Sequence, residues 1–135
     1  MKQFCLIILL VFSACMTGFS QDERVSEVKF IALPIYPTPA IILGIEETIS
    51  VEVLVDQYGK VVSLNTSTKR PYFASVIEEA IEEWRFFESD DKLREMSFTF
   101  VFKLLPYDSK SNIGSSFAQP NVIEIYAKKA KILNP

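Results

Sequence analysis

The sequence predicts an α+β fold built from three β-strands, the first two forming an antiparallel hairpin, and two helices. A further strand is available from Val122–Tyr126 in the C-terminal tail. Three observations predict this. Thr48–Asp56 alternates apolar and polar residues with a period of two, and so does the aromatic run Met96–Leu104. Between them, Phe73, Val76, Ile77, Ala80, Ile81 and Trp84 fall at i, i+3, i+4, i+7, i+8 and i+11, the single stripe of an amphipathic helix.

The elements follow in order. Phe30–Ile35 is apolar and suits an extended lead-in across the core. Thr38 is placed to cap a short helix, with Pro39 at its first position, where a missing N–H costs nothing. Ala40–Leu43 supply its turns, and Gly44 suits the left-handed residue that ends it. In the first strand Ile49, Val51, Val53 and Val55 share a face, while Thr48, Ser50, Glu52 and Asp56 share the other, with Leu54 as the one apolar residue there. Asp56-Gln57-Tyr58-Gly59 reads as a turn, and Val61–Thr66 returns as the second strand, with Val62 and Leu64 on one face. Pro71 belongs at the start of the long helix and Phe86 beyond its end. In the third strand Met96, Phe98, Phe100, Phe102 and Leu104 oppose Ser97, Thr99 and Lys103, and Pro106 ends it. Tyr107–Gln119 reads as a linker rich in Ser, Asn and Gly.

The first twenty residues carry the pattern of a cleaved export signal: Lys2, an apolar core from Phe4 to Phe12, and small residues Gly18 and Ser20 ahead of a cut before Gln21. The core is short for a membrane span, and no later stretch is long enough. The expected organisation is therefore a signal peptide at 1–20, a lead-in at 21–33, one domain at 34–106, and a linker and tail at 107–135. The expected location is the periplasm or the exterior. Phe12-Ser13-Ala14-Cys15 loosely matches a lipoprotein processing site, so the alternative is an anchor through Cys15.

Cleavage before Gln21 removes both cysteines, Cys5 and Cys15, and with them any disulfide, thiolate nucleophile or soft metal site. The formal charge is −3, and loss of Lys2 makes it more negative, which disfavours phosphate backbones; nucleic acid is not an expected partner. The chain has no histidine, and its four glycines are scattered rather than gathered into a phosphate-cradling loop. No catalytic residue, metal or cofactor is implied, and the expectation is a non-enzymatic protein.

The residue order resembles the C-terminal domain of TonB, a periplasmic energy transducer. The matching pieces are Tyr36-Pro37 with Ala40, Gly44-Ile45-Glu46 leading into Val51–Asp56, Gly59–Val62, the helix with Ala80 and Trp84-Arg85-Phe86, and the strand Phe98–Phe102. Glu47 stands where that family usually has glycine, and Glu88 where it often has proline. Only Gln21–Leu33 separates the expected cut from the domain, so the expectation is a binding domain without the transducer's long spacer, the alternative being a structural or assembly subunit of the envelope, lipid-anchored through Cys15, that binds no receptor. The resemblance implies a small antiparallel sheet of three strands with two helices packed on one face, whose last strand accepts an extended partner segment along its backbone edge, from an outer-membrane receptor or from a second copy. Carried over residue by residue, that edge is Ser97, Phe98, Thr99, Phe100, Val101, Phe102 and Lys103.

Other conspicuous residues have plainer readings. Glu78, Glu79, Glu82 and Glu83 mark the solvated side of the helix, since calcium sites draw their ligands from looped backbone. Trp84 and the Phe98, Phe100, Phe102 row read as core, Asp56 as turn chemistry, and Lys69-Arg70 as a loop charge pair. Val122–Tyr126, beyond a linker long enough to double back, is also placed to pair with the domain's own edge and block it. Intact-mass measurement of the exported protein should give an N-terminus at Gln21; a lipidated Cys15 would instead establish the anchored form.

Overall fold

The computed structural model describes residues 28–111, 113–119 and 121–131, with the backbone alone for 117–119. The expected signal peptide and Cys15 lie outside the described residues. The elements are β1 (Val28–Phe30), α1 (Thr38–Leu43), β2 (Glu47–Asp56), β3 (Val61–Thr66), α2 (Pro71–Glu82), β4 (Arg85–Phe86), β5 (Leu93–Leu105), β6 (Gly114–Gln119) and β7 (Val122–Lys128). The fold is α+β, as expected, but the main sheet has five strands rather than three, in the order β3-β2-β5-β7-β6. The three anticipated strands form one antiparallel run within it, β3-β2-β5. A separate two-stranded sheet joins β1 to β4.

The correction comes from the tail. After Pro106 the chain crosses to the far side, runs back as β6, and turns through Asn121 (φ 67°) into β7. Strand β7 inserts between β6 and β5, parallel to β5 and in register from Thr99↔Val122 to Leu105↔Lys128. Ile123, Ile125 and Ala127 thereby come opposite Phe100, Phe102 and Leu104 and are buried with them. The core thus runs on past Pro106, where the sequence places the end of the domain. Gly114–Gln119, read as linker, is a strand because it supplies partners for the outer side of β7.

One face of the sheet carries the core. Ile49, Val51, Val53 and Val55 of β2, the even-numbered residues from Met96 to Leu104 of β5, and the three β7 residues lie on it. Both helices add to this same cluster, α1 through Ala40 and α2 through Phe73, Ile77 and Ile81. Three ring pairs at its centre meet edge to face: Phe73–Phe102 at 4.8 Å, Tyr36–Phe102 at 5.4 Å and Trp84–Phe98 at 4.9 Å between centroids. Trp84 is fully buried, and its indole N–H donates to the Ala32 carbonyl at 2.7 Å, which pins the lead-in across the core. The Tyr36 hydroxyl donates to the Ile45 carbonyl at 2.6 Å, and burial, helped by nearby Glu46, raises its pKa well above the usual tyrosine value.

Local details refine the sequence reading. The residue before α1 is Pro37, not Thr38, and no side chain caps the helix; Gly44 ends it in the left-handed conformation (φ 68°). A bulge between Leu54 and Val55 pairs Val55 with Val61, which turns Val62 out to solvent instead of alongside Leu64. Glu47 accepts from the Thr68 hydroxyl and forms an ion pair with Arg70 at 3.3 Å, so it ties the start of β2 to the start of α2. Arg70 therefore has a partner, which a loop charge pair with Lys69 does not supply.

Gly59 closes the β2–β3 turn against β4. Asp56 Oδ1 accepts from the Tyr58 and Lys60 N–H groups, both at 2.9 Å, and the Phe86 N–H donates to the Gly59 carbonyl at 2.8 Å. A Cβ on Gly59 would stand 1.9 Å from the Phe86 carbonyl oxygen, and its φ is +84°. Gly44 has a similar φ but open space around it. Gly59→Ala should therefore cost at least about 3 kcal/mol in urea unfolding, against about 1 kcal/mol for Gly44→Ala. Equal losses would show that Phe86 does not crowd the turn.

Candidate interaction edges

A strand binds another strand only through backbone groups that face no neighbour, so a candidate site is found by following the ladders outward. Thr99 N–H donates to the Asn121 carbonyl and Lys129 N–H to the Leu105 carbonyl, each at 2.8 Å. The odd-numbered groups of β5 from Thr99 onward therefore face β7, and the even-numbered ones face β2. Of the seven residues that the sequence singles out, Thr99, Phe100, Val101 and Phe102 are flanked by strands on both sides, and Lys103, just past the end of β2, pairs with Tyr126 of β7. Ser97 and Phe98 pair with β2 and lie just before β7 begins. The side chains of Phe98, Phe100 and Phe102 are buried in the core. Strand addition along Thr99–Lys103 would require β7 to leave.

That departure is expensive. It would expose Ile123 and Ile125, each about 1.5–3 kcal/mol of burial, and uncover the flank of the β5 aromatic row. A polar cluster on the opposite face also joins the two strands. Lys103 Nζ lies 3.6 Å from the Glu124 carboxylate, and the Tyr126 hydroxyl donates to Glu124 at 2.6 Å. That hydrogen bond, with smaller contributions from burial and the Glu124 charge, raises the Tyr126 pKa. Although β7 pairs where a blocking strand is expected, it is built in as core.

Among the described residues the sheet ends in β3 on one side and β6 on the other, with no strand paired to their outer edges. Because even-numbered groups of β7 face β6, Gly114 and Ser116 point their backbone inward, opposite Tyr126 and Glu124. The N–H and C=O of Ser115 and Phe117 are left on the outer side. Beside this edge lies a groove of about 290 Å³, lined by Leu33, Ile35, Ile113 and Ile125 among others. Leu33, Ile35 and Ile113 are exposed. None of the residues from Gly114 to Gln119 is charged or a proline, the features that usually guard an edge.

At the other end, the Ser67 N–H donates to the Ser50 carbonyl at 2.9 Å, so Ser63 and Asn65 face β2 while Leu64 and Thr66 face outward. A groove of about 280 Å³ runs between β3 and α2, lined by Val61, Leu64 and Ile81 together with Glu78 and Glu82. These two glutamates, with Glu79 and Glu83, lie on the exposed side of the helix. A third hollow, about 740 Å³, is lined by Phe30, Tyr58 and Phe87 with Lys29, Arg85 and Glu88. Arg85 there already donates to the Glu82 and Trp84 carbonyls. Among the described residues no group of acidic residues is arranged to hold a metal ion. No described helix is long and apolar enough to cross a membrane.

Sequence reasoning missed both open edges. The β6 edge was legible only indirectly, since the alternation of Val122–Tyr126 needs a neighbour on each side. If β7 is core, Ile123→Ala should lose about 2–5 kcal/mol in equilibrium unfolding and Ser116→Ala less than about 0.5 kcal/mol. A small loss at Ile123 would mark β7 as a detachable cover.

Compared with protein-family models and with curated proteins, the chain has no match.

Proposed function

We propose that this chain is an exported, non-enzymatic protein-interaction domain similar to the C-terminal domain of TonB, which binds an extended segment of a protein partner, or a second copy of itself, by strand addition at a sheet edge. The observation that carries this reading is a five-stranded sheet whose end strands, β3 and β6, are both uncharged and have no strand on their outer side among the described residues. Strand addition needs a rigid template with free N–H and C=O groups, and grooves that take alternate side chains. Each edge here has such a groove beside it.

The resemblance gains support from the roles its residues play. Tyr36 and Trp84 anchor the lead-in, Gly44 ends α1, Gly59 closes the hairpin against Phe86, and Glu46 accepts from the Leu104 N–H at 2.9 Å at the far end of β5. An outer-membrane receptor segment is the partner class that the resemblance suggests. Since β7 fills the slot along Thr99–Lys103, such a segment would be taken at β3 or β6.

The test uses single prolines that delete an outward N–H without touching the inner ladder: Thr66→Pro in β3 and Ser115→Pro in β6. Synthetic receptor-segment peptides would be titrated by calorimetry, and self-association followed by sedimentation, with near-ultraviolet circular dichroism of Trp84 reporting the fold. One proline should weaken binding at least about tenfold with the fold intact. Association untouched by either proline, or no association with any peptide or copy, would contradict strand addition.

A further inference from the structure

We propose that the β3 edge accepts, from a second copy, the basic segment Lys129-Ala130-Lys131 that follows β7, so that molecules join head to tail. This rests on the strand-addition reading and names one edge and its occupant. The backbone of Leu64 and Thr66 offers the ladder, and the groove beside it is walled by α2 with Glu78 and Glu82 at its lip. The other edge lacks this polarity, because its groove is walled mainly by apolar residues.

The charges on α2 call for a cation from outside. Glu78 and Glu82, and likewise Glu79 and Glu83, stand one turn apart, an arrangement that repels along a helix. They occupy the C-terminal end, where the helix dipole favours positive charge, and the last turn has no basic residue. None of the four forms an ion pair with a described residue. A basic strand laid along β3 would relieve both effects at once.

The segment after β7 has the matching spacing. Lys129 and Lys131 are exposed and two residues apart, so in an extended chain they point the same way, about 6.6 Å apart. Glu78 and Glu82 are separated by about 6 Å along the helix axis. Lys131 is held only loosely, with its ammonium 6.0 Å from the Tyr107 ring centroid. The contact must be made in trans. Strand β7 lies three strand positions from β3, about 14 Å, and Lys129 is tied to the end of β5 by its N–H bond to Leu105. Because donor and acceptor surfaces differ, the association is heterologous and builds chains rather than a closed two-fold dimer.

The experiment is sedimentation velocity of the purified protein up to about 1 mM, at low and high salt. Wild type should associate beyond dimers, and more weakly in high salt. E78K/E82K and K129E/K131E should each weaken association about tenfold or more, and mixing the two variants in equal amounts should restore chain growth, with the two variants alternating. Exposed positions keep the fold intact, checked by circular dichroism. A monomeric wild type, or association that neither charge reversal changes, overturns the proposal. If the reversals do nothing while Ser115→Pro abolishes association, the head-to-tail contact is wrong and strand addition stands at β6. If the reversals and both prolines leave association unchanged, strand addition fails as well.

Discussion

The structure depends on the burial of one side of β5. Its even-numbered residues from Met96 to Leu104 form an unbroken apolar row, and every other layer is placed to cover that row or extend it. Trp84 and Phe73 pack onto it from above. Strand β2 extends it on one flank through Ile49, Val51 and Val53, and β7 on the other through Ile123, Ile125 and Ala127. Pairing and packing reinforce each other here: each strand that satisfies β5 backbone groups also contributes side chains to the same buried face.

This constraint decides which backbone is left for a partner. A three-stranded sheet ending in β5 would present that strand's edge, flanked by exposed aromatics. Adding β7 removes that edge and transfers the open ladder to β6, a strand of small uncharged residues. At the other end, a bulge shifts the pairing so that Val55 meets Val61, and Val61 and Leu64 of β3 line the groove beside α2 with Ile81. The binding surfaces therefore follow from how the tail completes the core.

Much of the fold was legible because its signals are periodic. The alternation in Thr48–Asp56 and Met96–Leu104, the stripe from Phe73 to Trp84, and the glycines at 44 and 59 all stand where the sequence places them. What escaped was structure made by tertiary pairing. Gly114-Ser115-Ser116 has little strand preference of its own and is extended because β7 needs a partner. Arg85-Phe86 is too short to show a period, and it is held by β1 and the Gly59 turn. The site was harder to read than the fold, since an edge is defined by which strand has no neighbour. The alternation of Ser97–Lys103 describes its faces and says nothing about its flanks.

The central claim is that β7 is interior and that β3 and β6 are the edges. Residue-resolved native-state hydrogen exchange tests it most directly. The Ile123 and Ile125 amides should exchange only through global unfolding, together with Val51 and Val53, while those of Leu64, Thr66 and Ser115 exchange orders of magnitude faster. Exchange of Ile123 and Ile125 through a low-energy local opening, with Val51 and Val53 still protected, would contradict it.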